Sequence, residues 1–126
     1  GGGDDEAYGG CGYVCVCGGA GNDTVGGAVG DDTLNGGDGD DLLFGGPGAD
    51  RFEFTAGADT IDFYSVADDT LALAESLWGG GLTEAQVLAL ADDSSGTVIF
   101  DFGSGNTLEV GGVSNVNDLT GELEFF

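Results

Sequence analysis

The stretch "GGAGNDTVGGAVGDDTLNGGDGDDLLFGGPGADRFEF", Gly18 to Phe54, decides how the chain folds. In steps of nine it separates into GGAGNDTVG (Gly18–Gly26), GAVGDDTLN (Gly27–Asn35), GGDGDDLLF (Gly36–Phe44) and GGPGADRFE (Gly45–Glu53). Position four is Gly in every unit. Position six is Asp23, Asp32, Asp41 and Asp50, and position eight is Val25, Leu34, Leu43 and Phe52. Upstream, Asp5 and Ala7 keep this phase. Downstream, Gly57, Asp59 and Ile61 keep it. The unit GGCGYVCVC (Gly9–Cys17) departs from it, with Val14 in place of the aspartate. A fixed period is the mark of a repeat architecture.

Positions one to six are turn chemistry, because Gly supplies positive φ and Asp sits easily in turns. Positions seven to nine are too short for a helix and read as a three-residue strand whose middle side chain points inward. Two units then make one coil, and coils stack at about 4.8 Å. Ala7, Val16, Val25, Leu34, Leu43, Phe52 and Ile61 form one narrow core. Stacking places Asp5, Asp23, Asp41 and Asp59 along one edge. Asp32 and Asp50 line the other, where Asp68 continues the count with Asp69 beside it. Carboxylates about 5 Å apart repel unless a cation lies between them. Carboxylates and turn carbonyls together suit Ca²⁺ better than Mg²⁺, which prefers a rigid, partly hydrated octahedron. The competing reading is a disordered acidic linker, but a linker has no reason to hold an apolar residue at constant phase.

Composition agrees. The 126 residues carry 24 acidic side chains, one Arg, no Lys and no His, for a net charge of −23. Such a chain cannot neutralise phosphate, which excludes nucleic acid, and anionic membrane surfaces repel it. No apolar run is long enough to insert in a bilayer. No basic segment precedes an apolar stretch, so no signal peptide is expected. The repeat is already running at the first residues, as in a piece of a longer chain. Without His or Lys, and with the carboxylates absorbed by the repeat, no catalytic constellation stands out, and the expectation is a non-enzyme.

The repeats resemble the RTX (repeat-in-toxin) family, whose nonapeptide is G-G-x-G-x-D-x-U-x. The resemblance implies an all-β, parallel β-roll, a right-handed β-helix of nonapeptide repeats, over residues 1–62. A mixed, mainly β capping region follows over 63–126. It implies Ca²⁺ between turns of alternate units, about five ions in all. The implied ligands are Asp5, Asp23, Asp32, Asp41, Asp50 and Asp59, with turn carbonyls at Gly19, Gly21, Gly37, Gly39, Gly46 and Gly48. Asp62, Asp68 and Asp69 are candidates for a terminal site, or plain solvated turn acids. The resemblance also implies a bacterial protein, secreted or at the cell surface, exported by type I machinery through an uncleaved C-terminal signal. The alternatives are a structural subunit of an extracellular assembly and the C-terminal region of a larger secreted enzyme. The open N-terminal end of the roll calls for an upstream domain or another subunit.

In the flank, Leu82–Ala91 reads as a short helix with a capping box at Thr83 and Gln86. The segments TVIFDF and NTLEV read as a hairpin around Gly103–Gly105, NVNDL as a helical turn and ELEFF as a final strand. Trp78 is expected to cover an end of the core. Cys11, Cys15 and Cys17 crowd the unit that lost its aspartate. Cys15 and Cys17, two apart on a strand, share its outward face and have poor disulfide geometry. They read as small fillers of a degenerate unit, or as thiols for pairing between molecules.

Overall fold

The computed structural model describes residues 2–126. Eight strands wind the roll: β1 (Glu6–Cys11), β2 (Cys15–Ala20), β3 (Thr24–Val29), β4 (Thr33–Asp38), β5 (Leu42–Phe44), β6 (Arg51–Phe54), β7 (Ala58–Ile61) and β8 (Thr70–Leu73). Odd and even strands belong to two different sheets, so the chain crosses from one to the other at every turn. Pairing between alternate strands is parallel and shifted by one coil: Val25 lies beside Leu43 and Leu43 beside Ile61, while Leu34 lies beside Phe52. Position eight faces the interior throughout. Val16, Val25, Leu34, Leu43, Phe52 and Ile61 are all buried, and the smaller Ala7 packs against them at the N-terminal end. This is the core expected from the period.

Strands β1 to β4 have six residues rather than the expected three. The added residues are the first three of the following unit. Their side chains are mostly absent, so the ladder runs on through Gly19 opposite Gly37 and Gly10 opposite Ala28. Position two there takes a positive φ, 111° at Gly19 and 95° at Gly37, which Gly adopts freely. Ala28 adopts the same region at 76°.

The C-terminal segment adds strands to both sheets. These are β9 (Ala91–Asp92), β10 (Val98–Gly103), β11 (Asn106–Val110) and β12 (Leu123–Phe125). β11 pairs parallel to β7, continuing the odd sheet, and β10 and β9 follow antiparallel. β12 pairs parallel to β8, continuing the even sheet. Leu108, Val110, Val98 and Phe100 extend the same buried core. The helix α1 is shorter than expected, Glu84–Leu88, and has the Thr83/Gln86 capping box. Residues Val116–Leu119 form a 3-10 turn. Trp78 packs on Phe102 and edge-on against Phe125, between the two added strand systems.

Candidate metal centre

The position-six aspartates Asp23, Asp32, Asp41, Asp50 and Asp59 are buried in their turns, whereas Asp5 at the N-terminal end is exposed. On one edge the Asp5 N–H donates to Asp23 Oδ1 at 2.7 Å, the Asp23 N–H to Asp41 Oδ1 at 2.8 Å, and the Asp41 N–H to Asp59 Oδ1 at 3.0 Å. On the other edge the Val14, Asp32 and Asp50 N–H groups donate to Asp32, Asp50 and Asp69 Oδ1, each at 3.0 Å. The carboxylates thus form two ladders, each held to the turn one coil earlier. Val14 donates its N–H to the second ladder but brings no carboxylate, so that ladder begins at Asp32.

The sequence count reached Asp68, but the structure brings Asp69 into the ladder instead. The span from Asp50 is 19 residues where the others are 18. The turn before β8 holds one extra residue, and Asp69 Oδ2 is further fixed by the Ser65 N–H at 2.9 Å. Asp68 is exposed beside the Ser65 hydroxyl, and Asp62 follows β7, outside either ladder.

The glycines explain how a carboxylate fits so deep. A Cβ at Gly18 would lie 2.5 Å from Asp23 Oδ2, and one at Gly27 would lie 2.5 Å from Asp32 Oδ2. Gly36 and Gly45 stand closer still to Asp41 and Asp50. Position one must be bare because the aspartate of the same unit packs onto its α-carbon. The turn glycines also stack between coils: Gly37 lies over the Gly19 carbonyl, Gly39 over Gly21 and Gly48 over Gly30, while Gly46 lies over Ala28.

A further set of coil-to-coil bonds, from position-five side chains, was missed from the sequence. Asp4 Oδ1 accepts the Asn22 N–H, Asn22 Oδ1 the Asp40 N–H, and Asp40 Oδ1 the Ala58 N–H. Asp31 accepts from Ala49 in the same way. It runs opposite in sense to the two aspartate ladders and is exposed. The signal was present, since position five is Asp or Asn in four of the units.

The electrostatics are those of an incomplete site. Asp23, Asp32, Asp41, Asp50, Asp59 and Asp69 are buried, and the Oδ2 atoms of Asp23, Asp32, Asp41 and Asp50 have no hydrogen-bond partner. Burial pushes the Asp59 carboxyl up to about 8, the Asp41 and Asp40 charges adding to the rise and the Asp41 N–H opposing it. Burial likewise lifts Asp50 to about 6, against the pull of the Asp32 N–H, and raises Asp41 and Asp69. Among the described residues no three carboxyl or thiol side chains converge on one point. A cation held here would have to draw on carboxylates from successive coils and on turn carbonyls. An all-oxygen set with unpaired buried anionic atoms fits Ca²⁺ and offers nothing to a metal needing imidazole.

A family model for the RTX calcium-binding nonapeptide repeat, in four copies, matches residues 16–34 and 26–61. Residues 16–61 are RTX calcium-binding repeats. The chain as a whole is similar to the extracellular lipase LipA from Serratia marcescens, with 26% identity and a TM-score of 0.76 over 98% of its length. The match spans 20% of the lipase. It also resembles in fold the AlgE6R3 subunit of the Azotobacter vinelandii mannuronan C5-epimerase, at 24% identity and a TM-score of 0.67. That match covers 97% of this chain and 78% of the subunit. No curated protein matches the chain by sequence. No helix among the described residues is long and apolar enough to cross a membrane.

Proposed function

We propose that the chain is a calcium-dependent folding module of a secreted protein, exported unfolded by a type I machine and folded outside the cell. The observation that carries this is the set of buried, unpartnered Oδ2 atoms of Asp23, Asp32, Asp41 and Asp50, whose Oδ1 atoms are each engaged in a ladder. Bound Ca²⁺ would supply the positive charge and oxygen-binding capacity that these atoms lack. Asp5, Asp23, Asp41 and Asp59 offer three gaps between coils, and Asp32, Asp50 and Asp69 offer two, for about five ions. Carbonyls of Gly19, Gly21, Gly37, Gly39, Gly46 and Gly48 complete the ligand sets. Asp62 and Asp68 stay outside them.

Where calcium is scarce, buried carboxylates facing one another oppose folding and leave a chain that can be threaded. Extracellular modules of this kind work at weak affinities, and binding to the folded state alone drives folding by mass action. Circular dichroism tests this directly. In chelator the β signal should be largely lost, millimolar Ca²⁺ should restore it, and Mg²⁺ should do so poorly. An unchanged spectrum in chelator, with calcium shown by elemental analysis to be removed, refutes the proposal.

The lipase match favours a second reading, in which the roll belongs to a larger secreted enzyme. In either case β1 and β2 are the outer strands at the N-terminal end. Gly2 and Gly3 bridge only to Ala20 at the end of β2, and the rest of such a strand edge invites further pairing. An upstream domain or another subunit of an extracellular assembly would cover it.

A further inference from the structure

The chain has 24 acidic side chains and a single basic one, Arg51. That cation stands on the outer face of β6, opposite the buried Phe52 and Phe54, and two carboxylates hold it. Its Nε donates to Glu53 Oε2 at 3.2 Å, and its Nη1 pairs with Glu124 Oε2. Glu53 is two residues further along the same strand. Glu124 is on β12, two strands away, with β8 between. The register sets Glu53, Ala72 and Glu124 in one row across β6, β8 and β12. Arg51 therefore reaches over Ala72, which is completely buried although it faces away from the core that its neighbours Leu71 and Leu73 enter.

The rest of the attachment of β12 is slight. The strand is three residues long, and Leu123 and Phe125 are half-buried where their partners Leu71 and Leu73 are fully buried. Among the described residues its backbone pairs on one side alone, with β8. Beyond it the Phe126 N–H donates to the Leu73 carbonyl at 3.1 Å, and the Phe126 carbonyl accepts the Glu75 N–H at 2.8 Å. The segment brings Glu122 and Glu124 to a chain of net charge −23, so electrostatics oppose docking everywhere except beside Arg51. We propose that residues 123–126 form a detachable strap, latched to the roll by Arg51, that lifts while the roll stays folded. Lifting it bares the β8 edge, and a bare strand edge templates pairing with another strand. It also parts Phe125 from Trp78, whose ring centroids lie 5.1 Å apart when the strap is docked.

The test is amide exchange, read by NMR on the calcium-saturated chain. Loss of one exposed ion pair shifts a local opening equilibrium by about 2- to 5-fold. Arg51→Gln should speed exchange of the Phe126 amide by that factor and leave the amides of β3 and β5 unchanged. Glu124→Gln, a change at an exposed side chain that does not endanger the fold, should do the same. Reversing the charges separates a latch from a generic surface charge. Arg51→Glu should speed Phe126 exchange further, and Arg51→Glu/Glu124→Arg should restore protection, because the cation then faces two acids on β6. Acrylamide quenching of Trp78, the one tryptophan, should follow the exchange rates. In about 1 M NaCl, where the screening length falls to about 3 Å, the difference between the native chain and Arg51→Gln should narrow. Unchanged Phe126 exchange in both single neutral variants, an equal rise in β3, or no recovery in Arg51→Glu/Glu124→Arg overturns the proposal.

Discussion

Replacing Asp50 by Asn should stabilise the chain without calcium and destabilise it with calcium. Asp50 Oδ1 accepts the Asp32 N–H, and Asn can keep that bond through its own carbonyl oxygen. What changes is the other atom, the buried Oδ2 that has no partner. A carboxyl raised from 3.8 to about 6 costs at most about 3 kcal/mol to keep ionised at pH 7.5. Solvent screening around the turn reduces this to roughly 1–2 kcal/mol. Asn removes that cost, so Asp50→Asn should favour the apo roll by about this amount. With calcium the sign reverses. Asp50 borders two gaps, toward Asp32 and toward Asp69. A tenfold loss of affinity at each is worth about 1.4 kcal/mol per gap, or about 3 kcal/mol in total at saturating ion. Folding in chelator can be driven by an excluded osmolyte and followed by circular dichroism; unfolding in urea is followed at fixed millimolar Ca²⁺. The osmolyte midpoint should fall and the urea midpoint should fall. A shift of the same sign in stability under both conditions would refute the assignment of Asp50 to a cation site.

Other consequences follow from the same geometry. Leu43 is buried between Val25 and Ile61, so Leu43→Ala should cost roughly 2–5 kcal/mol at saturating Ca²⁺. Its outward neighbour Leu42, half-buried between Thr24 and Thr60, should tolerate Ala within about 1 kcal/mol, and equal losses in urea melts would mean the phase is wrong. Without calcium the chain should be more structured in acid. Asp50 and Asp59 are raised to about 6 and about 8, so their neutral forms favour the folded state at pH 4. That advantage is lost as pH rises through 6 to 8, and circular dichroism in chelator that strengthens toward pH 8 would contradict it. With calcium, amides of β1 should exchange faster than those of β3, because β1 is an outer strand. Full protection of β1 in a monomer would show that this end needs no cover.

The nonapeptide period could be read from the sequence because it is a local property repeated many times. Each unit carries its own turn glycines, its aspartate and its one inward apolar residue, and parallel stacking of alternate units follows from that spacing. The buried row from Val16 to Ile61 and the two aspartate columns were therefore visible without coordinates. The position-five ladder was equally open to view, but Asp and Asn in a turn carry an adequate local explanation, and only the stacked coils reveal their second partner. Where the period fails, the tertiary structure decides. One extra residue before β8 shifts the ladder from Asp68 to Asp69, since hydrogen bonding to the Asp50 turn selects by position in space and not by count. Strands β1 to β4 run to six residues because glycines without side chains let backbone pairing continue past the inward residue. The joining of β11 to β7 and of β12 to β8 is a long-range choice. Each strand pairs where a roll of fixed width leaves an open backbone edge beside an unfinished core. That edge exists only once the coils before it have stacked.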